Sequence, residues 1–201
     1  MISSSTSLQV PQTGTGRESA HRDDLVQLGV WMFLATVVML FAAFTSAYII
    51  RRSGSDWVPI ELPRLLWLNT AALVASSLAL EGGRLASRKG KGSATRLGLT
   101  AAAGLGIVFL AGQISAWHTL VARGVYVPTS PHSSFFYILT ATHGVHVVAG
   151  LVLLVYTVTR TWNYGVHLDR GAPARLITAS ATFWHFLAAL WLYVFLLVSV
   201  F

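Results

Sequence analysis

An all-α integral membrane protein, a bundle of five transmembrane helices, is the fold class this sequence predicts, and three observations predict it. Hydrophobic residues make up 54% of the 201-residue chain and charged residues only 10%, where a soluble domain carries roughly a quarter charged. Five apolar stretches, at about 27–50, 65–80, 97–120, 134–159 and 176–201, lie near or above the ~20 residues that cross a bilayer. The links between them are short and polar, and no Pro/Gly/Ser-rich hinge divides the chain. Residues 25–201 therefore read as one transmembrane domain.

Residues 1–24 are rich in Ser, Thr and Gly and end in a charged run. They lack the apolar core of a cleaved signal peptide and read as a flexible cytoplasmic tail, so that the first span directs insertion. That span is aromatic-rich (Trp31, Phe33, Phe41, Phe44, Tyr48) and is closed by Arg51 and Arg52. A short loop with Gly54, Asp56, Trp57 and Pro59 follows. The second span is the shortest; Asn69 and the row Ala71, Ala75, Ala79 mark it for close helix packing. Residues 81–96, with Arg84, Arg88, Lys89, Lys91, Arg96 and several glycines, read as a polar connector. In the third span Gly98, Ala102 and Gly106 form a second small-residue row, with Gln113 and Trp117 further on and His118 at its edge. The fourth follows a loop with Pro128 and Pro131, and the fifth carries Trp184, His185 and Trp191. Trp57, Trp67 and Trp162 read as anchors at the membrane interface.

Charge sets the expected orientation. With the N-terminus cytoplasmic, the segments on that side hold ten of the 14 Lys and Arg, and the opposite side holds Arg51, Arg52, Arg64 and Arg123. The positive-inside rule then places the N-terminus in the cytoplasm and the C-terminus outside. The net charge of +7 is spread over membrane-flanking loops, with no basic strip interleaved with aromatics, so nucleic acid is not an expected partner. The chain has no cysteine, which excludes disulfides and thiolate metal sites.

The polar residues expected at membrane depth are His143, His146, His185, Asn69, Gln113 and Thr140, with no Asp, Glu, Lys or Arg. A proton-coupled transporter usually needs a titratable carboxylate there, and a zinc hydrolase needs a general-base Glu beside its ligands. The chain reads as having no catalytic residue, no metal site and no cofactor of its own. His143 and His146, three residues apart, lie about 60° apart on one helix face. Structural contact between helices is the plain reading of the pair. The sharp alternative is a haem held between one of them and His185, in a free-standing haem- or ligand-binding membrane protein.

Five motifs in order resemble subunit III of the haem–copper terminal oxidases, cytochrome c or quinol oxidase, in its five-helix bacterial form. They are Gly29, Trp31, Phe33 and Leu34 with Met39 and Phe41; Leu68, Asn69 and Thr70 with Ser76 and Ser77; Gly112 and Gln113 with Trp117; Phe135, Phe136 and Tyr137 leading to His143, Gly144, Val145 and His146; and Trp184, His185 and Phe186 with Trp191. The resemblance covers the chain from about Leu28 onward. It implies an accessory, non-catalytic subunit of the bacterial cytoplasmic membrane. Such a subunit packs on catalytic subunit I, with subunit II in the same complex, and the haems and copper lie in those partners. It also implies bound phospholipid and support for proton uptake and durability in turnover. Carried over by position, His143, His146, Trp184, His185, Asn69, Gln113 and Trp117 become candidates for interhelical or lipid contact. Val37, Ala116 and Ala188 stand where the family often carries acids. Those departures leave the scaffolding and lipid roles but weaken an inherited proton-linked one, and they also suit the related accessory subunit of nitric-oxide reductases. The electron donor is decided in other subunits.

Overall fold

The computed structural model describes residues 15–164 and 172–200, and side chains over 28–163 and 175–199. The helices are α1 (Thr15–Arg52), α2 (Leu65–Arg88), α3 (Gly92–Ala122), α4 (Pro131–Tyr164) and α5 (Ala172–Val200), with a short 3₁₀ turn at Val127–Thr129. All five are long and apolar enough to cross a membrane, and no strand occurs among the described residues.

Several boundaries differ from the sequence reading, each for a local reason. α1 begins at Thr15, inside the stretch expected to be a mobile tail. α2 does not stop near residue 80 but runs on to Arg88, and α3 starts at Gly92. The expected connector over 81–96 is thus mostly helix, and the turn between the helices is only Lys89–Lys91. Arg84 folds back on Glu81 one turn earlier, with Nε and Nη2 donating to the two carboxylate oxygens at 2.8 and 2.6 Å. That pairing lets both charges stay on the helix. The turn itself is a Schellman motif. Gly90 sits at φ +69°, its N–H donates to the Ser87 carbonyl, and the Lys91 N–H reaches back to Ala86. Glycine fits there because it alone tolerates the left-handed region without strain. Gly124, at φ +78°, closes α3 in the same way. α4 starts at Ser130–Ser133, whose hydroxyls and backbone N–H groups bond reciprocally at 3.0 and 3.2 Å, with Pro131 at the first helical position.

α2 and α3 form a tight antiparallel hairpin, α4 and α5 a second, and α3 meets α4 while α2 meets α5, closing a four-helix ring. Among the described residues α1 leans on α4 and α5 alone. The packing row of α2 is Leu66, Asn69, Leu73, Ser76, Leu80 and Gly83. Ala71 and Ala75, expected in that row, face outward instead, because the buried face turns one position away from them. On α3 the predicted row does face inward: Ala102 and Gly106 are buried, and Gly98 lies against the backbone of Gly83. The loop between α1 and α2 is pinned on α4. The Ile60 N–H donates to His132 Nδ1 at 2.9 Å, and Trp57 stacks on the same ring at 5.0 Å. Trp57 is half-buried through this stacking, whereas Trp67 and Trp162 are exposed.

Candidate functional site

The interior is organised by three tryptophans, each of which donates its indole N–H to a hydroxyl on a neighbouring helix. Trp184 Nε1 donates to Ser76 Oγ at 3.0 Å, Trp191 to Thr70 Oγ1 at 3.0 Å, and Trp117 to Thr140 Oγ1 at 3.2 Å. Each hydroxyl spends its own proton on a backbone carbonyl: Ser76 on Ala102, Thr70 on Leu66, Thr140 on Phe136. Donor and acceptor capacity are both used, as a buried indole or hydroxyl requires. The Trp184 ring also lies against Gly106 of α3 and Gly150 of α4, where a methyl would approach it to 2.7 and 3.3 Å. One side chain thereby touches α2, α3 and α4 from α5.

The histidines do not form one centre. His143 is fully buried, edge-on to Phe109 at 6.1 Å and tilted on Trp191 at 5.2 Å. His146, one turn on, faces α1 between Phe33 and Phe41. Its Nδ1–H donates to the Thr142 carbonyl at 2.7 Å. The shared helix face therefore serves two different neighbours. His185 lies on the α2 side of α5, with Ser77 Oγ 2.5 Å from Nδ1 and Glu81 Oε2 3.2 Å from Nε2. A neutral imidazole satisfies both when the Ser77 hydroxyl donates to Nδ1 and Nε2–H donates to Glu81. With the Arg84 fork on the same carboxylate, the four residues make one hydrogen-bonded chain across α2 and α5. Among the described residues no group of three or more His, Cys, Asp or Glu could hold a metal ion.

Asn69 and Gln113, both buried, meet across α2 and α3 with Nδ2 donating to Oε1 at 3.5 Å. Removing one of the two strands the other in the core, which costs about 1–3 kcal/mol, whereas replacing both with apolar groups is nearly neutral. Asn69→Leu is accordingly expected to destabilise the detergent-solubilised protein. The double variant Asn69→Leu/Gln113→Leu is expected to regain most of the loss in the same unfolding assay.

These features sit on a chain whose likeness to known proteins extends over nearly its whole length. The family model for cytochrome c oxidase subunit III matches residues 8–201. The chain belongs to that family. It is 31% identical to "Probable cytochrome c oxidase subunit 3" of Nocardia farcinica, over 88% of each chain. It is 34% identical to "Cytochrome c oxidase subunit 3" of Synechocystis sp., over 87% of this chain and 75% of the relative. The identity is also 34% to "Cytochrome bo(3) ubiquinol oxidase subunit 3" of Pseudomonas aeruginosa, over 85% of this chain and 82% of that one.

Within the family fold, the residues at the three departures are all buried: Val37 on α1, Ala116 on α3 and Ala188 on α5. The sequence reading missed the carboxylate that matters most. Glu81 lies about two turns inside the end of α2 and pairs with His185 and Arg84, so a carboxylate expected in a connector belongs to the helix. The signal was available in the i, i+3 spacing of Glu81 and Arg84. Ser77 and Thr70 were visible only as parts of a motif, because the register that sets a hydroxyl opposite an indole or imidazole belongs to the tertiary fold.

Proposed function

We propose that this chain is accessory subunit III of a respiratory haem–copper oxygen reductase, a multi-pass protein of the bacterial cytoplasmic membrane with its N-terminus inside. The observation that carries the reading is the subunit III family match over residues 8–201, joined to five helices able to span a membrane. The chain acts within a complex, packed beside catalytic subunit I with subunit II present, and the haems and copper reside in those partners. Its own chemistry is structural. Both ring nitrogens of His185 are taken by Ser77 and Glu81, which supports a chain in which that imidazole holds no cofactor.

Bound phospholipid belongs to the same reading. A cleft of about 800 Å³ opens between the end of α1 and the start of α4, lined by Ile50, Pro131 and Phe135 together with Thr129, Ser130 and Ser134, with the paired Arg51 and Asp56 beside them. Apolar and polar groups side by side suit the headgroup end of a lipid. Support for proton uptake and turnover durability completes the proposal. Membranes from a strain lacking this chain are expected to start oxygen uptake through the oxidase and then lose it faster during turnover than wild-type membranes. Unchanged durability would refute that role.

A further inference from the structure

The geometry points to the α2–α5 face around Glu81 and Arg84 as the surface that meets a transmembrane helix of a partner subunit. The inference rests on the subunit reading above and specifies which side of the bundle the complex uses. Elsewhere the exposed side chains midway along the helices are apolar or hydroxyl-bearing, such as Met39 on α1, Ile107, Val108 and Ser115 on α3, and Val145 and Val152 on α4. On the α2–α5 face the side chains of Arg84, Glu81 and His185 keep 23%, 31% and 36% of their surface exposed. They lie on helix segments within the membrane-spanning stretches. Ionised groups turned to acyl chains are costly there and normally face protein or water.

Two further features describe the occupant. Arg84 spends Nε and Nη2 on Glu81, so the Nη1 donors remain for an oxygen acceptor on the incoming helix. Beside this polar chain α2 exposes Ala75, Leu78, Gly82 and Leu85 and α5 exposes Ala189, and a methyl placed on Gly82 would meet nothing within 4 Å. The small positions leave room between the leucines for a second helix, whose packing screens the charges from lipid. The partner of stated chemistry is thus a membrane helix presenting a carboxylate, hydroxyl or carbonyl oxygen opposite Arg84.

The chain has no cysteine, so an introduced cysteine is the single thiol on this chain, and wild-type membranes give the labelling background of the other proteins. Gly82→Cys, Ala189→Cys and the distant control Val152→Cys would each be labelled in native membranes with a photoactivatable maleimide and the cross-linked species identified. The expected result is a cross-link to a large membrane subunit of the same complex from positions 82 and 189, and lipid adducts from position 152. In addition, Arg84→Met should lose the chain from the purified complex while Arg84→Lys retains it. Lipid adducts at 82 and 189 in an intact complex would overturn this face assignment and leave the subunit reading standing. A Val152 cross-link to the partner without one from 82 or 189 would do the same. Failure of every variant and of the wild type to bring down a partner would overturn both.

Discussion

Trp184→Ala is expected to cost about 3–5 kcal/mol of bundle stability, the range for truncating a large buried aromatic. The side chain is 1% exposed and bonds Ser76, and it fills the space left by Gly106 and Gly150. Its removal leaves a cavity where α2, α3, α4 and α5 converge, and the surrounding helices can close that cavity only in part. Trp184→Phe gives an intermediate case. It gives up the indole N–H and the distal ring carbons that lie against Gly106, while Ser76 still donates to the Ala102 carbonyl. Its loss should therefore exceed that of one hydrogen bond, about 1 kcal/mol, and fall short of that of alanine. Denaturant or thermal unfolding of the detergent-solubilised protein, followed by helix content, reads both variants. An alanine variant as stable as the parent would contradict the assigned role of this residue.

Gly98→Val is the second large effect, because the atoms in the way belong to backbone. A Cβ at Gly98 would stand 2.6 Å from Gly83 Cα, 2.7 Å from its nitrogen and 2.8 Å from the Ala79 carbonyl oxygen. No rotamer change can relieve those contacts, so α2 and α3 must separate, and the tightest pair in the bundle loses its packing. Overpacking of this kind typically costs about 1–3 kcal/mol and occasionally more; here the upper end is expected. Gly104 supplies the control on the same helix. A Cβ there meets nothing within 4 Å, and Gly104→Ala should be neutral or stabilising by up to about 1 kcal/mol through helix propensity. The pair tests close packing directly, since both variants remove a glycine from α3 and only one touches α2.

Much of this architecture is legible in the chain itself. The five spans follow from hydropathy, and the turn at Lys89–Lys91 has its glycine in the one place where a positive φ is needed. The extent of α2 was harder to read, because Glu81, Arg84 and two glycines look like a connector until the carboxylate and guanidinium are seen to neutralise each other on one helix face. Small-residue spacing located the packing face of α3 through Gly98 and Gly106. It misdirected the reading of α2, where Ala71 and Ala75 face outward and Ser76 and Gly83 carry the contact. Alanine suits either environment, so its spacing alone does not choose a face. The histidines and tryptophans stood out as polar or amphipathic groups at membrane depth. Their partners did not, because a serine or threonine in a helix normally bonds its own carbonyl, and only the fold brings an indole to its remaining lone pair.

The measurement that tests the central claim most directly is purification of this chain from its native membrane in mild detergent, with an optical spectrum and an oxygen-uptake assay on the product. Membership of an oxidase as subunit III predicts that a larger haem-bearing subunit and oxygen consumption come down together with it, and that the chain stripped of its partners is colourless. A chain that purifies alone would contradict the account, and one that purifies alone with a Soret band would make its histidines ligands instead of packing groups.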